Sequence, residues 1–237
     1  MEATEKNSEK ITIVSDMNIS LANAIRRSVG EIQIMAIDEA DIYKNDSALY
    51  DEVIAHRLGL IPLKNQKLKA DQTVEMKLKS KGKAERTEVL SGELGDDVVY
   101  PEMPIVLLEE GQELELVARA RVGKGNDHAK FAPGIIFYKH LPKIKISADG
   151  EKHSELAELH PEAFEMFGEK LKIKDATAFD MDQEDMEEYP GISVDFDNNL
   201  VLTVESWGQI EAKDIFTEAC KALKEIFLKS LRQLSNC

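Results

Sequence analysis

Cysteine is nearly missing from this chain: among 237 residues only Cys220 and Cys237 are thiols. Two thiols, one inside a helical pattern and one at the last position, make neither a disulfide framework nor a thiolate metal cluster. Cys220 reads as a small buried apolar residue. No apolar run approaches the roughly 20 residues that span a bilayer. Residues 1–10 are polar and mixed in charge, without the apolar stretch and small-residue cleavage site of a secretion signal, so the cytoplasm is the expected compartment. The sequons Asn18-Ile19-Ser20 and Asn45-Asp46-Ser47 would not meet glycosylation machinery there. Positive charge is also scarce: 30 Lys and Arg face 45 Asp and Glu, a net charge of -15. Such a chain repels nucleic-acid phosphate, so little direct binding of DNA or RNA is expected.

Catalytic signatures are wanting too. The five histidines, His56, His128, His140, His153 and His160, form no His-x-x-x-His pair, and Gly123-Lys124-Gly125 lacks the outer Gly and the Ser or Thr of a phosphate loop. The stretch Phe179-Asp180-Met181-Asp182-Gln183-Glu184-Asp185 has the alternating carboxylates that hold Mg²⁺ in phosphoryl transfer. As a calcium loop it fails, with Asp185 where Gly is needed and Gly191 where Glu is needed. Glu187 and Glu188 extend the run, so a solvated acidic loop is the plainer reading. The lysine-rich stretch Lys64 to Arg86 contains no aromatic, hence no stacking platform for single strands; a solvated sheet face is expected there, with an acidic partner surface as the sharper option.

What the chain does have is 43% hydrophobic and 32% charged residues, the balance of a globular protein large enough for a real core and two subdomains. Lys10 to Val14 alternates as an opening strand. Leu21, Ala24, Ile25, Ser28 and Ile32 recur at the period of one helix face, with Asn18 or Ser20 as cap; Asn23, Arg26, Arg27 and Glu31 lie opposite, and small Ala22 and Ala24 permit close approach of another helix. Ile34 to Tyr43 reads as a strand and Leu49 to Leu58 as a helix with Val53, Ile54 and Leu58 on one face, stopped by Gly59 and Pro62. Thr73 to Lys79 and Glu113 to Val122 alternate as strands of a sheet with one wet face. Lys143 to Ile146 is a further strand. The segment 151–190 carries -9 of the charge; within it His153 to Leu159 and Pro161 to Phe167 read as short helices, Leu171 to Phe179 as extended, and Asp180 to Glu188 as loop. Asn199 to Ser206 is a strand. From Glu211 a closing helix keeps Ile215, Ala219, Ala222, Leu223, Ile226, Leu231 and Leu234 at helical spacing, long enough to pair with a partner helix.

Four strings, Leu21-Ala22-Asn23-Ala24-Ile25-Arg26-Arg27, Met35-Ala36-Ile37-Asp38, Ala55-His56-Arg57-Leu58-Gly59-Leu60-Ile61-Pro62-Leu63 and Gly125-Asn126-Asp127-His128-Ala129-Lys130-Phe131-Ala132-Pro133, followed by Val204-Glu205-Ser206-Trp207-Gly208 and a helix, resemble RNA polymerase alpha-type subunits in that family's order. The resemblance is nearest to the archaeal D-type branch, itself similar to the third-largest subunit of eukaryotic RNA polymerase II and to the amino-terminal domain of bacterial alpha. It implies an α+β fold with a dimerisation domain from residues 1–45 plus 193–237, an inserted antiparallel domain at 46–147, and an acidic insert at 148–192. It also implies a non-catalytic assembly subunit that pairs with a small alpha-like subunit, L, beneath two large catalytic subunits, with small zinc-binding subunits N and P alongside. Partner-binding residues would be Leu21, Ala24, Ile25, Arg26, Arg27, Ser28, Ile215, Ala219, Leu223, Ile226 and Leu231. Large-subunit contacts would fall on His56, Arg57, Leu58, His128 and Lys130. Many members bind an iron–sulfur cluster where this chain has its insert, but cluster ligation needs several thiolates and the insert has none, so no cofactor is expected. The family's proline after the first helix is replaced by Glu31-Ile32-Gln33-Ile34, so a different helix exit is expected. A stand-alone acidic adaptor, or a metal-dependent enzyme using Asp180 to Asp185, are the alternatives.

Overall fold

The computed structural model describes residues 2–66, 72–83, 86–181 and 186–235. In chain order the elements are β1 (Glu2–Lys6), β2 (Lys10–Ser15), α1 (Ile19–Ser28), β3 (Gln33–Asn45), α2 (Asp51–Gly59), β4 (Thr73–Lys81), β5 (Thr87–Leu90), β6 (Pro104–Leu108), β7 (Glu113–Lys124), β8 (Gly134–Ile146), α3 (Glu155–Leu159), β9 (Phe164–Phe167), β10 (Lys170–Ile173), β11 (Ile192–Ser206) and α4 (Ala212–Ser235). The fold is α+β with antiparallel pairing in its described ladders. The expected basic patch and acidic loop fall in part on residues 67–71, 84–85 and 182–185, which lie outside the described residues, as does Cys237.

Two compact units form, one from Met1–Lys6, Ile11–Asn23 and Phe137–Thr203, the other from Asn7–Lys10, Ala24–Ile136 and Val204–Cys237. Both draw on widely separated parts of the chain. Their boundaries fall within β2, α1, β8 and β11.

In the second unit a sheet of order β3-β7-β4 uses strand alternation to build one dry face. Leu114, Leu116, Ala118 and Ala120 of β7 point inward beside Met76 and Leu78 of β4 and Met35 and Ile37 of β3. The opposite face is a ladder of charges, with Lys44 and Lys81 on Glu113, Lys79 on Glu115, and Arg119 on Asp41 and Glu75. Helix α2 closes the dry face with Ile54 and Leu58. Val53, expected beside them, is 40% exposed: a residue next in sequence to Ile54 is turned about 100° away. Acidic Asp51 and Glu52 open α2, and His56 and Arg57 stand in its last turn, each favourable to the helix dipole.

The first unit has a sheet of order β1-β2-β11-β8 and the acidic insert. Leu156, Ala163, Phe164, Leu171, Phe179 and Ile192 make a separate small core there, with the Phe164 and Phe179 rings edge to face at 6.1 Å. The insert closes where the Ser147 amide donates to the Gly191 carbonyl at 2.8 Å. Pro161 to Phe167, expected as a helix, is instead a turn followed by β9, which pairs with β10 from Phe164↔Ile173 to Phe167↔Lys170. The reversal is made by Gly168 at a φ of +68°, a conformation glycine adopts without a Cβ clash.

Candidate partner-binding surfaces

Helix α1 starts where the Asn18 side chain accepts the Leu21 amide at 2.8 Å, the cap that satisfies an orphan donor. Its covered side chains are Ala22, Ile25 and Ser28, running on to Val29 and Ile32, and the Ser28 hydroxyl donates to the Ala24 carbonyl at 2.8 Å. Leu21, expected on that stripe, is instead 44% exposed, as Ile19 is at 49%. Ala24 is half-buried and Arg26 and Arg27 are exposed. The chain leaves α1 through a 3-10 turn, Val29–Glu31, and an extended Ile32.

Helix α4 is two-sided. Ala212, Ile215 and Ala219 are buried; Ala222 and Ile226 continue that row. A second apolar row, Phe216, Cys220, Leu223, Phe227 and Leu234, follows at spacings of three, four and seven, rotated by about 100°. Its first three members are half-buried. Beyond them the covering stops: Ile226, Phe227, Leu228, Leu231 and Leu234 are all exposed, Leu234 at 73%. Five large apolar side chains over less than three turns are a contact surface in search of a cover. Leu223, Ile226, Leu231 and Leu234 belong to the readable spacing; Phe216, Phe227 and Leu228 lie outside it.

A third surface surrounds α2's C-terminal end. His56, Gly59 and Leu60 line a cavity of about 170 Å³ with Asp38, His128 and Lys130. An adjoining cleft of about 260 Å³ is lined by Leu60, Pro62, Ala129, Ala132 and Trp207. Asp38 holds the place together, its carboxylate 2.5 Å from Lys130 Nζ and 2.5 Å from Arg121 Nε. Burial pushes the Asp38 carboxyl up, but the hydrogen bonds from Lys130 and Arg121 outweigh it and leave it below the usual carboxylate value. The His128 Nδ1 accepts the Lys130 amide at 3.2 Å. Of the expected large-subunit residues, His56, His128 and Lys130 thus share one cavity. Leu58 is fully buried, and Arg57 donates to the Ile105 carbonyl at 2.6 Å, so these two hold α2 in place. Trp207, which lines the cleft, was not among the expected contact residues, although a lone Trp beside a Gly turn is a visible signal.

The family described as the RNA polymerase Rpb3/Rpb11 dimerisation domain matches residues 13–227. This chain belongs to that family. It is similar, at 37% identity over 98% of this chain and 97% of the relative, to DNA-directed RNA polymerase subunit Rpo3 of Thermococcus kodakarensis. The subunits of the same name from Pyrococcus furiosus and Archaeoglobus fulgidus are 35% and 34% identical, over 100% and 94% of this chain and 98% and 93% of theirs. The setting is therefore archaeal transcription, and the enzyme to which such subunits belong is a multi-subunit nucleotidyltransferase.

Within this Rpb3/Rpb11 family chain, and among the described residues, no three His, Cys, Asp or Glu side chains gather as a metal site would require, and no helix is long and apolar enough to cross a membrane. Asp180 lies 3.7 Å from Lys139 Nζ and is 91% exposed. Cys220 is half-buried, and burial pushes its thiol up.

Proposed function

We propose that this protein is the non-catalytic, D-type assembly subunit of an archaeal RNA polymerase, pairing with the small alpha-like subunit L. The pair is the platform for the two large catalytic subunits, with the small zinc-binding subunits N and P alongside, in the cytoplasm. Residues 1–45 and 193–237 supply the pairing domain, 46–147 the inserted β domain. One observation carries the reading: the distal half of α4 leaves Ile226, Phe227, Leu228, Leu231 and Leu234 in water, in a chain of a dimerisation family. Burial of such side chains is worth about 1.5–3 kcal/mol each, and an obligate pair commonly buries more than about 2,000 Å². The cavity lined by His56, His128 and Lys130 is assigned to a large subunit.

No cluster belongs to this reading. Residues 148–192 contain no cysteine, and their interior is filled by packed Leu, Phe and Ile side chains, so the residues do not fit iron–sulfur ligation.

The test is Phe227→Asp with Leu231→Asp. Each places a charge where the partner would desolvate it, so pairing with L should fall by at least about a hundredfold. The melting temperature of the chain alone should not move. Undiminished pairing would count against the proposal.

A further inference from the structure

The last turns of α4 carry the opposite charge to the rest of the chain. Residues 221–235 hold four cations, Lys221, Lys224, Lys229 and Arg232, against the single carboxylate of Glu225, in a chain whose net charge is -15. On a helix, residues four apart lie on one ridge. Three such ridges follow one another around the exposed turns, each rotated about 100° from the last. Leu223, Phe227 and Leu231 form the apolar ridge, Lys224, Leu228 and Arg232 the next, and Lys221, Glu225 and Lys229 the one beyond. The outermost ridge is balanced within itself, since Glu225 stands one turn from each of its lysines and Lys221 also holds Glu218 at 2.7 Å. The middle ridge contains no carboxylate. Lys224 and Arg232 are exposed, and among the described residues neither forms a salt bridge.

Two ordinary causes of basic residues on a helix leave this ridge unexplained. The helix dipole favours a cation only in the last turn, where Arg232 is the basic residue. A solvated helix face commonly alternates its charges in sign at i, i+4, as the outermost ridge does, whereas Lys224 and Arg232 enclose an exposed leucine, Leu228. Charges directly beside an apolar seam are the means by which paired helices choose their partners. At physiological salt, charges farther away than about 8 Å are largely screened. The ridge, not the net charge of the whole chain, therefore sets the electrostatics at the seam.

We infer that the partner helix covering Phe227 and Leu231 presents carboxylates to Lys224 and Arg232, and that this match makes α4 select an acidic-flanked helix over a second copy of this chain. The inference rests on the pairing with subunit L proposed above and names the chemistry of the surface that L must offer. A second copy would bring its own Lys224 and Arg232 to the same seam. Over the exposed turns it could set only Glu225 against them, one ridge away and between two lysines. Like charges brought together across an interface oppose pairing.

The test measures pairing of this chain with subunit L at about 50 mM and about 500 mM salt, either side of the physiological range. Lys224→Gln with Arg232→Gln should leave the melting temperature of the chain alone unchanged, weaken pairing about tenfold at the lower salt and remove most of its salt dependence. Lys224→Glu with Arg232→Glu should weaken it about a hundredfold at the lower salt, with partial recovery as salt is added. Without L, the Gln variant should shift towards a dimer in light scattering where the unaltered chain does not. Equal pairing with L by the unaltered chain and the Glu variant at both salts would overturn the acidic flank while leaving the assembly role intact. Equal self-association of the unaltered chain and the Gln variant would overturn the selection against a second copy. If the unaltered chain does not pair with L at either salt, the assembly reading itself fails and the inference with it.

Discussion

At the scale of single residues, the segment joining β7 to β8 shows how closely sequence and packing are tied. Gly123 lies under the ring of Phe131, three of whose carbons would be only 2.8 Å from an added Cβ. The ring is fully buried, with the Arg121 guanidinium 4.9 Å and Lys130 Nζ 5.3 Å from its centre. Gly123→Ala must displace the ring and disturb the two cations paired with Asp38, so a loss of about 1–3 kcal/mol is expected in urea unfolding. An unchanged midpoint would show that the ring has room to move. Glu113 is the residue with a pH signature. Hydrogen bonds from Lys44 and Lys81 lower its carboxyl from 4.5 to about 2, so its ionised form is favoured by folding. Its contribution is present above about pH 4.5 and disappears as pH falls toward about 2. The melting-temperature gap between the unaltered protein and Glu113→Gln should be constant above that window and close within it. A gap that persists below pH 2 would mean the effect is not electrostatic.

Among elements, α4 carries the proposed pairing surface, and its two rows were legible to different degrees. The row through Ile215, Ala219 and Ile226 is plain helical spacing, and Leu223 and Leu234 of the second row are legible with it; Phe216 and Phe227 join them only once it is known which face is already covered. The same limit explains α1, where Leu21 and Ile25 both fit an apolar stripe, and only the fold shows that Ala22, not Leu21, joins Ile25 in the interior. Ile25 is 4% exposed, so a charge there would unfold the chain and report nothing about pairing. Strands that alternate apolar with charged residues, β4 and β7, were readable almost to the residue. The start of β8 was not, since its outward residues Ile135 and Phe137 are apolar as well and hide the two-residue period. In the site, the His56 and His128 strings stood out, but their convergence on Asp38 depends on β3 and the turn after β7 being brought together by sheet pairing, which no local pattern encodes.

For the whole molecule, the proposed role is that of a scaffold with faces for partners, while the insert is stabilised by its own apolar core. Phe164 is central to that core, being 1% exposed and edge to face with Phe179. Phe164→Ala should cost about 3–5 kcal/mol in the first unit, visible as an early melting step, while pairing through α4 is retained at lower temperature. A single unchanged transition would mean that the insert is held by something other than its core. The proposed pairing is read out by the mass, from light scattering on a sizing column, of this chain with subunit L, unaltered and carrying Phe227→Asp with Leu231→Asp. A one-to-one complex is expected for the unaltered chain and separate components for the variant. An unaltered chain that stays monomeric in the presence of L would contradict it.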